Sequence, residues 1–165
     1  WFNYVFDNDL LKSDFYSLIG DTHHKLKNHQ ESDKSYIKAL KHNPSNILVL
    51  NNYSYYLSQR EEDLLKAKEM IVKCLALSEG APNASYIDTY AWVLYKLGQY
   101  SLARDQIEKA LKITNNSPVI LDHYGDILYK LGKKKEAVSQ WKKASELDLE
   151  NEKIKEKINS QMIHE

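Results

Sequence analysis

The chain has 165 residues, 42% of them hydrophobic, which suffices for one domain with a sizeable core. Its 23 basic side chains equal its 23 acidic ones, so no net field draws in phosphate backbones or anionic lipid. Nucleic acid is therefore excluded as a first reading, and the absence of any run of 18 apolar residues excludes a membrane-spanning helix. Three prolines and five glycines, set against abundant Leu, Lys, Glu, Ala and Ile, favour helices over strands. Twelve tyrosines stand out, and the single cysteine, Cys74, has no internal disulfide partner.

Taken in chain order, Trp1, Phe2, Val5 and Phe6 have the spacing of one helix face, without an initiator Met or a signal-peptide pattern. Residues 1–12 read as the tail of a preceding, truncated repeat, covering the first complete one, in a chain cut from something longer. The first repeat, 13–46, carries Ile19-Gly20, Tyr36, Ala39-Leu40 and Pro44. The second, 47–83, shows Tyr53-Ser54, Leu57, Ala67, Ile71 and Cys74-Leu75 once one residue is inserted near Glu61-Glu62 and two within 78–83. Insertions at turns leave helix packing intact.

The period is plainest in the last two repeats, 84–117 and 118–151. Tyr90-Ala91-Trp92-Val93-Leu94-Tyr95-Lys96-Leu97-Gly98 returns 34 residues later as Tyr124-Gly125-Asp126-Ile127-Leu128-Tyr129-Lys130-Leu131-Gly132. Ala103, Ile107 and Ala110 answer Ala137, Trp141 and Ala144 at the same interval. Gly20, Ser54, Ala91 and Gly125 lie inside helical patterns, where glycine costs about 1 kcal/mol against alanine, so close approach of the paired helix is expected there. Gly98 and Gly132 instead mark helix ends that need a left-handed residue. Beyond 151, Ile154, Ile158 and Met162 form a narrow stripe, read as a capping helix over 152–165.

A 34-residue unit with small residues at the helix crossing and bulky ones between resembles the tetratricopeptide repeat family. The resemblance is specific at YAWVLYKLGQYSLARDQIEKAL and YGDILYKLGKKKEAVSQWKKA. It is weaker at 13–46, where His23, Lys27 and Ser32 replace the usual aromatic, glycine and alanine. It implies an all-α fold: a right-handed α-α superhelical solenoid of antiparallel helix pairs with a C-terminal capping helix, forming a single domain.

The family binds partners with the first helix of each repeat. Carried over, its groove positions are Asp14, Ser17, Leu18 and Asp21, then Asn51, Asn52 and Tyr55. The third repeat supplies Asp88, Thr89, Trp92 and Tyr95, and the fourth Asp122, His123, Asp126 and Tyr129, with Lys25, Lys96 and Lys130 along one margin. An acidic, aromatic groove is expected, holding a partner segment that carries basic and apolar side chains. Asn52 is the one element matching the carboxylate clamp of some relatives, and aspartates elsewhere would repel a terminal carboxylate.

The competing reading has these aspartates solvated or bonded to neighbouring helices. His23 and His24 point to different sides of a helix and cannot share one metal ion. Asp122, His123 and Asp126 lack a second group of ligands. Cys74 stands where Ala39, Ala110 and Ala144 stand, so a buried inert thiol is expected. Trp141 fits an interior stripe, whereas Trp92 is assigned to the groove. The lysines at 133–135 are balanced by Glu136 and the neutral total. No phosphate-binding loop, metal spacing or nucleophile elbow occurs, so no cofactor, metal or catalytic residue is expected. The expected function is a non-catalytic protein-interaction scaffold; the alternative is homo-oligomerisation, or a regulatory segment of a larger protein with an upstream domain. The same resemblance implies a bacterial protein in the periplasm or tethered to the outer membrane, with the cytoplasm as alternative.

Overall fold

The structure, a computed structural model, describes residues 8–163. Among them are nine α-helices and no strand. They are α1 (Asp9–Lys25), α2 (His29–His42), α3 (Ile47–Arg60), α4 (Leu64–Leu77), α5 (Ala84–Lys96), α6 (Tyr100–Ile113), α7 (Pro118–Lys130), α8 (Lys134–Leu147) and α9 (Glu152–Ser160). The expected packing role of Trp1, Phe2, Val5 and Phe6 lies outside the described residues. Asp9 to Lys12 belong to α1 itself and not to an earlier repeat. The chain forms two compact units, one running to Glu79 and the other starting at Gly80.

Two local signals repeat along the chain and account for the helix boundaries. Every first helix of a pair, and α9, starts from a residue whose side-chain oxygen accepts a backbone N–H of the first turn: Asn8, Asn46, Asn83, Ser117 and Asn151. Such caps satisfy donors that a helix start otherwise leaves unpaired. The second helices α2, α4, α6 and α8 have no side-chain cap. They are reached instead through a tight left-handed turn, with positive φ at Lys27, Glu61, Gly98 and Gly132. In each turn a backbone N–H reaches back five residues, as from Gln99 to Leu94 (2.9 Å) and from Lys133 to Leu128 (3.0 Å). This is the Schellman closure that glycine favours, and Lys27 and Glu61 adopt it despite their side chains. Between its first left-handed residue and the next helix the α3–α4 turn holds two residues where the others hold one, with Asp63 also at positive φ.

In the unit from Gly80, α5 pairs with α6 and α7 with α8, while α7 lies beside both α5 and α6. Ala91, Leu94, Ala103, Ile107, Ala110, Ile120 and Ile127 fill the core between the pairs. Leu121, Leu128, Ala137, Trp141 and Ala144 fill the next layer, which Ile154 of α9 closes. The apolar stripe of α9 is shorter than its pattern suggests: the helix ends at Ser160, and Met162 lies beyond it, exposed. In the other unit α1 pairs with α2 and α3 with α4 around Tyr36, Val49, Leu50, Tyr53, Leu57 and Ile71. The Tyr36 and Tyr53 rings stack with centroids 5.2 Å apart.

Candidate functional site

Two glycines determine how the groove carboxylates are held. A Cβ on Gly20 would come within 2.8 Å of the Tyr36 ring, and one on Gly125 would collide with the indole of Trp141. The missing side chains let the rings of α2 and α8 lie flat against α1 and α7, a closer approach than ordinary helix packing allows. Each ring then reaches the aspartate that follows the glycine. Tyr36 donates its hydroxyl to Asp21, and Trp141 donates Nε1–H to Asp126 Oδ1 at 3.0 Å. The two intervening repeats place Ser54 and Ala91 at the glycine position, and the buried Ile71 and Ile107 at the ring position. Their residues after the small one are Tyr55 and Trp92, not aspartates.

A second regularity links neighbouring first helices. In the repeat register, with the first repeat counted from Ser13, the sixth residue of a repeat or of α9 (Asn52, His123, Lys157) meets the ninth residue of an earlier first helix (Asp21, Trp92, Asp126). Asn52 Nδ2 lies 3.4 Å from Asp21 Oδ1. The His123 ring stacks on Trp92 at 4.0 Å and 17°. Lys157 of α9 donates to Asp126 Oδ1 and Oδ2 at 2.8 and 2.9 Å. An adjacent rung runs from the fifth residue: Asp88 Oδ1 lies 2.8 Å from His123 Nδ1, and Asp122 Oδ1 accepts from Lys157 at 2.7 Å.

These contacts change the electrostatic character read from the sequence. Asp88, His123 and Asp126 are buried, and the charges of Asp88, Asp122 and Asp126 are met by His123 and Lys157 inside the unit. The expected acidic lining is thus, in this unit, a set of carboxylates bonded to neighbouring helices. Burial raises the Asp126 carboxyl above the usual carboxylate range, against the opposing pull of Lys157. Burial by itself would depress the His123 imidazolium, but Asp88, with Asp122 and Asp126 behind it, carries its pKa net above the ordinary value. Trp92 is partly buried, stacked on Tyr95 at 4.7 Å as well as on His123. Tyr95 is buried, while Tyr129 is partly exposed with Lys134 Nζ 5.6 Å over its ring. Lys96 lies 5.3 Å over Trp92, an arrangement that favours the cation over the ring face.

In the other unit, Asp14 accepts from Asn46 (3.0 Å), Asn51 donates to Asn52 (3.1 Å), Ser17 is buried and Leu18 is exposed. Tyr55 is partly exposed beside Tyr56, with ring centroids 6.0 Å apart. Lys157 and Tyr36 are the partners that sequence reasoning missed. The signal for Lys157 was its spacing, 34 residues after His123 and 35 after Asp122. Cys74 is buried with Sγ 3.5 Å from the Ile47 carbonyl, and burial pushes the thiol up to about 11, which suppresses the thiolate. Among the described residues no group of three metal-ligating side chains could hold an ion, and no helix is long and apolar enough to cross a membrane.

The fold recurs in solved structures at low sequence identity. MamA aligns with 91% of this chain and 80% of its own length, at TM-score 0.69 and 16% identity. PilW, a widely conserved type IV pilus biogenesis factor, aligns over 86% of this chain at TM-score 0.74 and 20% identity, and the chain spans only 63% of PilW. YrrB, a tetratricopeptide protein with an unusual peptide-binding site, aligns over 88% of this chain and 74% of its own, at TM-score 0.63 and 22% identity. No curated protein matches the chain. A family model described as tetratricopeptide repeat matches residues 5–148, and with the paired helices, glycine-relieved crossings and left-handed turns above, the chain belongs to the tetratricopeptide repeat family.

Proposed function

We propose that this chain is a non-catalytic scaffold that holds a segment of another protein against the first helices of its repeats, with aromatic side chains as the anchors. The observation that carries this reading is the partly exposed aromatic set on those helices: Tyr55 in one unit, Trp92 and Tyr129 in the other. Aromatic side chains bring large contact area at low entropic cost and dominate interface energetics. Members of the family generally mediate protein–protein interactions, which supports the coarse statement. YrrB, described by its peptide-binding site, lends fold-level support.

The chemistry of the partner follows from which groups remain available. Asp88, Asp122 and Asp126 already face cations of their own unit, so they offer little to a basic segment. Apolar and aromatic side chains of the partner are the better match, flanked by groups that suit Lys134 beside Tyr129. Location in the bacterial envelope is part of the same proposal, resting on the resemblance of the DTYAWVLYKLG and DHYGDILYKLG segments, and cell fractionation checks it.

Affinity capture with the native full-length protein tests the binding surface. Tyr129→Ala and Tyr55→Ala are expected to lower recovery of a specific partner at least tenfold, about 1.4 kcal/mol, with unchanged helicity. Lys153→Ala, on the exposed side of α9, serves as control. Equal recovery by all three variants discards the reading. Asp126→Lys is uninformative about binding, because it would bury a second cation beside Lys157 and break the unit.

A further inference from the structure

The sixth register position, through which Asn52, His123 and Lys157 reach an earlier first helix, carries different chemistry along the chain: Leu18, Asn52, Thr89, His123 and, in α9, Lys157. Only the histidine changes charge near neutral pH. His123 is 6% exposed, and its Nδ1 lies 2.8 Å from Oδ1 of Asp88, itself 5% exposed. Asp122 and Asp126 stand beside it on α7, Lys157 of α9 answers both, and Lys96 of α5 lies 5.3 Å over Trp92. The polar groups of the other helices packed on α7 are engaged elsewhere along it. Glu108 of α6 accepts from Tyr124 (2.9 Å), Trp141 of α8 donates to Asp126, and Lys134 of α8 stands over Tyr129. Three carboxylates thus meet two cations, and one of those two, His123, can lose its charge.

Trp92 depends on that imidazole for its place. Its ring stacks on His123 at 4.0 Å and 17° and on Tyr95 at 4.7 Å and 12°, while its Nε1 is buried without a hydrogen-bond partner. Trp141, by contrast, is pinned by its bond to Asp126. An imidazolium is attracted to an indole face, and a neutral ring lacks that charge term. We propose that His123 is a protonation switch between α5 and α7: with its proton it holds α5 through Asp88 and covers one face of Trp92, and without it the two helices loosen and that ring face opens to a partner segment. The partner in this proposal rests on the scaffold reading above, and the switch rests on the His123 cluster. Loss of the proton removes a charge-assisted bond and leaves Asp88 buried against a neutral ring, a costly state. Burial opposes the imidazolium, but Asp88, with Asp122 and Asp126, carries its pKa above the ordinary value, so the proton leaves above about pH 6.5.

Heteronuclear NMR of the full chain from about pH 5.5 to about pH 9 follows the His123 imidazole and the Trp92 indole N–H together, the latter assigned with Trp92→Phe. Both are expected to move with one shared midpoint above the ordinary histidine value. Asp88→Asn is expected to lower both midpoints by about one unit or more, and His123→Gln to leave the Trp92 signal flat. Circular dichroism checks that the variants stay helical, and the unaltered chain gives the shared midpoint without them. Affinity capture of the partner is expected to recover about threefold more above that midpoint than below it, with His123→Gln indifferent to pH. A Trp92 signal that stays still while His123 titrates overturns the switch. So does equal recovery on both sides of the midpoint by a surface that Tyr129→Ala still impairs. Capture indifferent to both Tyr129→Ala and Tyr55→Ala discards the scaffold reading alone, and the shared midpoint then decides whether His123 controls Trp92.

Discussion

Trp141 lies against Gly125 so closely that no side chain fits between them, and its indole N–H is thereby delivered to Asp126. At an unconstrained helix position, alanine for glycine would stabilise by about 1 kcal/mol. Here the sign reverses. Gly125→Ala is expected to destabilise by about 2 to 4 kcal/mol through forced displacement of a fully buried ring. Gly80→Ala, where an added Cβ meets nothing within 4 Å, is expected to be neutral. Urea midpoints for the two variants, with tryptophan emission as probe, distinguish them. His123 makes a second prediction at this scale. Its pKa is raised in the folded state, so its contribution is complete below the unfolded value of about 6.5 and lost as pH rises through the raised value. Urea midpoints measured upward from pH 6.5 are expected to fall for the native chain and to lose that component in His123→Gln.

Helix α9 is nine residues long and would not persist alone in water. Three side chains tie it to the unit, among them Ile158, half-buried against the Trp141 layer. Ile154 closes the layer around Trp141, and Lys157 meets both Asp122 and Asp126. Ile154→Ala is expected to cost about 2 to 4 kcal/mol, while Met162→Ala, beyond the helix end, costs nothing measurable by thermal denaturation. Lys157→Ala leaves the Asp126 carboxylate buried without its cation, a loss of about 3 kcal/mol by the same measurement. The turn closures at Gly98 and Gly132 were legible beforehand, because they act through bonds to residues at most five away; the caps Asn46, Asn83, Ser117 and Asn151 act as locally but were not singled out from the sequence. The stripe of α9 overran its true end because Met162 continues an apolar spacing after the backbone turns left-handed at Gln161.

Within each of the two units, the helices pack mainly on their partner or on the next helix in the chain, so contacts are short in sequence. Folding is expected to be fast, within milliseconds in stopped-flow refolding, as for other helical proteins of local topology. The neutral chain hides a local asymmetry, since carboxylates of α5 and α7 are answered by His123 and by a lysine contributed from α9. Period, helix pairing, the glycine turns and family membership could all be read from the order of residues, because a 34-residue repetition and local hydrogen bonds need no knowledge of distant neighbours. Whether Asp88, Asp122 and Asp126 face a ligand or a neighbouring helix could not. Their partners lie 31 to 35 residues away in an adjacent helix. Only the lateral packing of neighbouring helices decides which side chain each carboxylate meets, with Gly125 also drawing the Trp141 ring onto Asp126.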